Sequence, residues 1–282
     1  MSESRGFTST AEPLSVGNVV SAAVRLYRSH LKEYFLLALK AYLWVFVPVY
    51  GWAKCYALSA LIARLAFGDL VNQPESVNSG ERFVNSRLWK FLGTMILMFL
   101  MGGGIGIGFM IVVGVLLGIP AAMLGLQNGN LANIGIFVLI AIVVSIVAIV
   151  GFVWLVTRFY LVDLPLAIED NVDATSTIKR SWELTKGHVG RIFLISFLAV
   201  LITLPLQILI QIITTVIQLI FTPLLNDGSP LFSLIFIVLL LGIILSSNAM
   251  ILPFLQTVKA VIYYDLRSRR EGLGLQLRDR EI

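Results

Sequence analysis

Long stretches without a charged side chain constrain this 282-residue chain most. No Asp, Glu, Lys or Arg occurs in residues 91–157, 192–226 or 228–258. A helix that crosses a bilayer needs about 20 mostly apolar residues, so the first stretch has room for two crossings and each of the others for one. Because 58% of the residues are hydrophobic and only 13% are charged, the composition excludes an ordinary soluble enzyme and a disordered chain.

The first apolar block, roughly residues 34–67, admits two interpretations. Both of its flanks are basic and a proline–glycine break at 48–51 divides it, so it crosses twice or not at all. We favour a hairpin of two short crossings, in which Lys40 and Lys54 extend to the two membrane surfaces. The alternative is a re-entrant or half-inserted pair, because the cleanest apolar stretch, residues 41–53, has the length of such segments.

The distribution of basic residues predicts the topology. They concentrate in four parts of the chain: 1–34, 64–90, 158–191 and 259–282. The connection 119–133 has no charge, and 221–230 has one aspartate. The positive-inside rule then places both termini in the cytoplasm. The predicted fold is an all-α integral membrane protein with about six transmembrane helices in three hairpins. Such a bundle is typical of a bacterial inner or internal membrane rather than an outer membrane.

An amphipathic segment precedes each hairpin. Apolar and basic residues occupy opposite helical faces in 14–35, 76–91 and 173–192. This pattern predicts three helices that lie in the cytoplasmic interface with the apolar face toward the bilayer.

The chain therefore divides into similar units. Each unit has an interfacial helix and two spans, over about 14–69, 75–163 and 172–265. We expect residues 14–266 to form one polytopic membrane domain, residues 1–13 to be a disordered segment, and residues 267–282 to be a basic cytoplasmic tail.

Basic side chains of the amphipathic segments are candidates for contact with anionic lipid headgroups. They are Arg25, Arg28, Lys32, Arg82, Arg87, Lys179, Arg180, Lys186, His188 and Arg191. Neither His188 nor His30 has a serine, cysteine or carboxylate at the spacing of a catalytic triad or zinc site, so headgroup contact or a plain surface position is favoured over catalysis.

A polar stripe marks the fifth predicted span. It consists of Thr203, Gln207, Gln211, Thr214 and Gln218, which share one helical face, and Asn248 lies at a similar depth in the sixth span. Polar groups in hydrocarbon need partners. A hydrogen-bonded seam between these two spans is favoured, and a polar path or a lipid-headgroup pocket is the alternative.

Two further sets of residues recur at regular spacing. Gly102, Gly106, Gly114 and Gly118 form a small-residue face, for which packing within the chain is favoured over a dimer or partner seam. Asp69, Asp163 and Asp265 close the three units, each five or six residues after a basic residue. Boundary and capping roles are favoured for these acids over a role in a coupled carrier, because none lies in the middle of a span.

Three stretches resemble a known family when they are taken together. They are PLSVGNVVSAAVRLYRSHL at 13–31, IKRSWELTKGHVGRIF at 178–193 and YYDLRSRREGLGLQL at 263–277. They resemble the membrane domain of the glycerophosphodiester phosphodiesterase membrane-domain family, a widespread bacterial group. The resemblance covers about Pro13 to Leu277 and implies a bacterial multi-span membrane protein. The family's namesakes join this module to a soluble phosphodiesterase barrel, which is not expected here, so the resemblance implies no catalysis.

These observations favour a non-enzymatic membrane protein that binds or organises anionic lipid, partner membrane proteins, or both. A small transporter or channel that uses the polar stripe is the alternative, and an enzyme acting on lipid headgroups is less favoured. The expected partners are anionic lipids and a second copy or another membrane protein, with no nucleic acid. No cofactor or metal is expected, and the single cysteine, Cys55, excludes an internal disulfide and a thiolate metal cage.

Overall fold

The computed structural model describes residues 15–124, 130–226 and 229–272, which contain ten α-helices and no strand. The all-α prediction is confirmed for these residues. The segment expected to be disordered, 1–13, lies outside them, as does most of the expected tail, from residue 273 on.

The helices follow one another with short connections. Their bounds are α1 Val16–Ser29, α2 Leu31–Trp44, α3 Tyr50–Leu70, α4 Val77–Ser86, α5 Leu88–Met123, α6 Leu131–Arg158, α7 Asp163–Ile168, α8 Ala174–Thr185, α9 Val189–Asn226 and α10 Pro230–Glu271. The order repeats a short helix followed by a helical pair, as α1 with α2–α3, α4 with α5–α6, and α8 with α9–α10. The sequence repeat itself stays a prediction.

Side-chain caps fix where the short helices begin. The Ser15 hydroxyl accepts a hydrogen bond from the backbone N–H of Asn18 at the start of α1, and Ser76 caps α4 in the same way. Asp173 forms a capping box with Ser176 at the start of α8. These side chains satisfy N–H groups that have no partner within the helix.

Four helices in the described part of the chain are long and apolar enough to cross a membrane: α5, α6, α9 and α10. The six predicted crossings are not confirmed, because the first apolar block contributes no such helix. α2 has 14 residues, or about 21 Å at 1.5 Å per residue, against a hydrocarbon thickness of about 30 Å. α3 has 21 residues and also contains Lys54 and Arg64.

The shorter helices and the adjoining ends of the long ones form a compact body, which we call the platform. One buried cluster joins α1, α3, α7, α8, α9 and α10, and the second joins α2, α3, α4, α5, α7 and α10. α3, α7 and α10 contribute to both clusters. α3 also packs against α2, α4, α5, α7 and α10, so it lies at the centre of the core.

The amphipathic helices differ from the prediction in what covers their apolar faces. Ala23 of α1, Val84 of α4 and Leu184 of α8 are buried in the two protein clusters or against them. One face of a helix cannot be covered by protein and lipid at once. The expectation that these faces point into the bilayer is therefore wrong for the residues in the core.

Above the platform the long helices pack loosely. No residue is buried in the most apolar 18-residue stretch of α5, or in that of α6. α6 contacts α5 and α9, and α9 contacts α10. Much of the apolar surface of these helices is left for lipid or for another protein to cover.

Candidate lipid-facing site

Three of the basic residues that the sequence predicts as headgroup ligands instead bind carbonyl and carboxylate groups within the platform. Arg87 donates hydrogen bonds to the carbonyl oxygens of Leu166 and Glu169, at 3.2 and 2.5 Å. Arg180 pairs with Glu169 at 3.1 Å and with Glu271, and Arg191 pairs with Asp265 at 3.1 Å. Their guanidinium groups link separate helices, so they are poor candidates for contact with lipid.

The other predicted ligands remain at the surface. Arg25, Arg28, Lys32, Arg82, Lys179 and Lys186 are exposed. Lys179 lies 3.8 Å from Glu183 across one helical turn. His188 is half-buried, and burial together with Arg270, Arg269 and Arg191 lowers its pKa below the ordinary histidine value. Its imidazole is therefore neutral at pH 7 and adds no charge to a headgroup site.

The three repeated aspartates also connect separate elements, and Asp69 and Asp163 lie at helix ends. Asp69 of α3 lies 3.1 Å from His30. Asp163 lies 3.0 Å from Lys259 of α10, and Asp265 of α10 pairs with Arg191 of α9. Asp163 is also the first residue of α7, where its charge suits the helix dipole. Each acid thus has a basic partner from elsewhere in the chain.

The polar stripe makes hydrogen bonds within its own helix. The Gln207 amide donates to the Thr203 hydroxyl at 2.8 Å, and the Thr214 hydroxyl donates to the Gln211 carbonyl at 3.0 Å. Gln207, Gln211 and Gln218 are exposed. Asn248 is also exposed, and its amide donates to the Ile244 carbonyl of α10. Within the described residues, these groups form no hydrogen bond between α9 and α10.

The glycine face of α5 is open. A Cβ atom built on Gly102, Gly106, Gly114 or Gly118 meets no atom within 4 Å. The packing within the chain that the sequence favours does not occur at these four positions among the described residues.

A feature that the sequence indicated only as an alternative lies between α2 and α3. Residues 43–52, which we call the hairpin tip, carry exposed apolar side chains over most of their length. These are Leu43, Val45, Phe46, Val47, Val49, Tyr50 and Trp52. The signal in the sequence is the uninterrupted apolar stretch 41–53 with its aromatic residues.

Close contacts hold the hairpin tip in one conformation. A Cβ atom at Gly51 would lie 1.9 Å from the Trp44 carbonyl oxygen, so only glycine fits there. The Trp52 indole donates to the Val45 carbonyl at 3.1 Å, and the rings of Trp44 and Tyr50 meet edge to face. The exposed apolar surface therefore belongs to a fixed turn.

Aromatic contacts establish the direction of the hairpin tip. Arg64 of α3 and Arg87, just before α5, both stack on Phe83, at 3.7 and 4.0 Å from the ring centre. Two turns earlier on α3, Tyr56 meets Phe91, one turn further along α5. The start of α3 therefore lies on the same side of the platform as the uncharged stretch of α5. The hairpin tip lies on the side of the platform from which the spans emerge.

Two lysines at the base of the hairpin tip share one acid of α4. Lys40 donates to both carboxylate oxygens of Glu81, at 2.8 and 2.7 Å, and Lys54 lies 4.0 Å from the same group. The expectation that these lysines extend to opposite membrane surfaces is wrong, because both meet at one point. Burial opposes ionisation of Glu81, but Lys40 and then Lys54 outweigh it and hold the pKa of Glu81 below its ordinary value.

No protein-family model, curated protein or solved structure matches this chain. The family resemblance therefore stays an expectation that rests on the quoted residues. Within the described residues, no group of three His, Cys, Asp or Glu side chains could hold a metal ion.

Proposed function

We propose that this chain is a non-enzymatic membrane protein that binds and organises lipid, chiefly anionic lipid, in the leaflet next to the platform. Four spans anchor it, the hairpin tip enters that leaflet partway, and exposed cations of the platform hold headgroups. The observation that carries the proposal is the hairpin tip, which is apolar, exposed, fixed in shape and directed along the spans.

The length of the hairpin tip fits partial insertion. Helix α2 continues only four residues beyond the level of Lys40, through Trp44, which is about 6 Å at 1.5 Å per residue. Amphipathic elements at a membrane surface typically bury their apolar face about 5–10 Å deep. Lys40, Lys54 and Glu81 then lie at the level of the headgroups, where the exposed side of Lys40 contacts water.

The proposed topology follows from the basic residues. The platform carries nearly all of the cations, which supports a cytoplasmic location for it and for both termini in a bacterial inner membrane. The resemblance to the membrane module of the glycerophosphodiester phosphodiesterase membrane-domain family supports the same location, and membership in that family is part of the proposal.

Transport is the second candidate, and the exposed glutamines of α9 are the observation in its favour. Two shallow depressions of the described surface lie elsewhere. One, about 390 Å³, is lined by apolar residues of α10, and the other, about 380 Å³, lies around His30 and Lys32. Neither is lined by the polar stripe, so lipid binding is the better-supported function.

A spin label at the hairpin tip tests the proposal. Cys55 is the only cysteine, so Phe46→Cys in a Cys55→Ser background gives a single label, with Asn78→Cys on α4 and Ile142→Cys on α6 as water and mid-membrane controls. In vesicles with anionic lipid, we expect oxygen to relax the Phe46→Cys label more than a water-soluble nickel reagent does, at a depth between the controls. If the nickel reagent relaxes the Phe46→Cys label as strongly as the Asn78→Cys label, the hairpin tip does not insert. That result would refute the proposed function, which depends on insertion.

A further inference from the structure

The upper four residues of the polar stripe have the spacing of a helix–helix seam. Gln207, Gln211, Thr214 and Gln218 are separated by four, three and four residues. This is the alternation with which two parallel helices pack side by side in a left-handed pair. Beside these residues, Leu206, Ile210 and Ile217 of α9 are half-buried, and α9 contacts α6 and α10.

The glutamine amides of this face have unused hydrogen-bonding capacity. Gln207 donates once, to Thr203, and the side chains of Gln211 and Gln218 make no hydrogen bond within the described residues. All three are exposed on a helix whose residues 192–226 carry no charge. An amide without a partner is unfavourable in hydrocarbon, so these side chains favour any contact that supplies one.

We propose that the partner is a second copy of this chain, joined through α9 to form a parallel homodimer. Two copies in one membrane share a topology, so their two-fold axis runs along the membrane normal and each residue meets its own counterpart at the same depth. A glutamine amide both donates and accepts hydrogen bonds, and is therefore complementary to itself. A second copy supplies matching groups at all three depths by symmetry, and another protein would need to reproduce each of them.

The pairing is independent of the lipid-binding proposal and can be tested separately. In a Cys55→Ser background, Thr214→Cys places a thiol in the seam and leaves all three glutamines intact. Val216→Cys is the matched control, because it lies 3 Å away along the axis, at about 1.5 Å per residue, and on the opposite face of α9. Oxidation in native membranes, followed by gel electrophoresis, reports the disulfide-linked dimer.

We expect Thr214→Cys to give at least ~10-fold more linked dimer than Val216→Cys, and the triple change Gln207→Leu, Gln211→Leu, Gln218→Leu to abolish the difference. Replacement of the three glutamines by asparagine keeps the amides and should restore part of the dimer. Because Thr214 is half-buried, Thr222→Cys serves as a second, more exposed reporter one turn beyond Gln218, and it also leaves the three glutamines intact.

If both reporters form no more disulfide-linked dimer than Val216→Cys on the opposite face, the proposal is overturned. The amides would then face lipid or a water-filled path. Dimer that persists in the leucine variant would also overturn it, since the contact would then not depend on the amides. Native mass spectrometry of the full chain in lipid discs should agree, with a dimer for the parent and a monomer for the leucine variant.

Discussion

At the scale of single residues, the shape of the hairpin tip depends on the absence of a side chain at Gly51. The carbonyl of Trp44 occupies the space where a Cβ atom would be. The preceding turn contains Val49 at φ 61°, a left-handed conformation that is unfavourable for a β-branched residue. The tip is thus a fixed structure that stores strain, and one methyl group should disturb it.

Gly51→Ala should destabilise the protein by about 1–3 kcal/mol, the usual cost of forcing an atom into a packed site. The free energy of unfolding in mixed micelles, followed by circular dichroism, measures it. Gly17→Ala is the matched control, because no atom lies within 4 Å of a Cβ there, and alanine in a helix should stabilise by up to ~1 kcal/mol. Equal effects of the two changes would contradict a tightly packed tip.

Through Glu81, the stability of the base of the hairpin tip depends on pH. Its pKa is lowered in the folded protein, so its contribution to stability is present above the ordinary glutamate value of about 4.3 and is lost as the pH falls through the lower folded value. The spin label at Phe46→Cys should therefore keep the same mobility from pH 8 to 5 and become more mobile below about pH 4. In Glu81→Gln the label should be mobile at every pH. A variant that is as rigid as the parent would rule out this role for Glu81.

At the scale of elements, the sequence predicts where helices lie better than what covers them. The uncharged stretches locate α5, α6, α9 and α10, because hydrocarbon excludes charges whatever the helices pack against. The amphipathic pattern of α1 is the same whether protein or lipid covers its apolar face, so periodicity cannot distinguish the two. Lys40, Lys54 and Glu81 are far apart in sequence, and only the fold brings them together.

The link between α7 and α10 shows how strongly the platform depends on buried charge. Asp163 is almost fully buried, and its carboxylate accepts hydrogen bonds from Lys259 at 3.0 Å and from Gln256 at 3.2 Å. Asp163→Asn should cost about 3–5 kcal/mol of unfolding free energy, because it leaves a largely buried cation without its partner. The double change Asp163→Asn, Lys259→Met should recover most of that loss.

The same unfolding titration measures both variants. Glu183→Gln, which removes the partner of the exposed Lys179, is the control and should cost less than about 1 kcal/mol. A double variant no more stable than Asp163→Asn alone would mean that the cost does not come from the unpaired charge.

At the scale of the whole molecule, the platform separates the roles of the basic residues. Arg87, Arg180 and Arg191 hold helices together, whereas Arg28, Lys32 and Arg82 are exposed and remain available to lipid. From the sequence alone these two groups looked alike, because both occur in basic amphipathic segments. Only the position of an acid or a carbonyl on another helix distinguishes them.

Replacement of Arg28, Lys32 and Arg82 by glutamine should weaken the binding of anionic lipid by about 1 kcal/mol for each charge that lies at the membrane surface. Native mass spectrometry in lipid discs counts the retained lipids. The control removes exposed acids instead, by Glu33→Gln and Glu183→Gln, and should retain at least as much lipid as the parent. Equal retention by all three proteins would exclude these cations as the binding surface.

The half-inserted arrangement of the hairpin tip is tested most directly by the side of the membrane from which the tip can be reached. Single cysteines at Phe46, Leu131 and Asn78, in a Cys55→Ser background, are treated in intact cells with a maleimide that does not cross membranes. We expect labelling at Leu131 only. The cysteine at position 78 should react once the cells are opened, and the one at position 46 should be shielded by lipid throughout. Labelling of Phe46 from outside, as strong as that of Leu131, would show that α2 and α3 cross the membrane and would contradict the half-inserted hairpin.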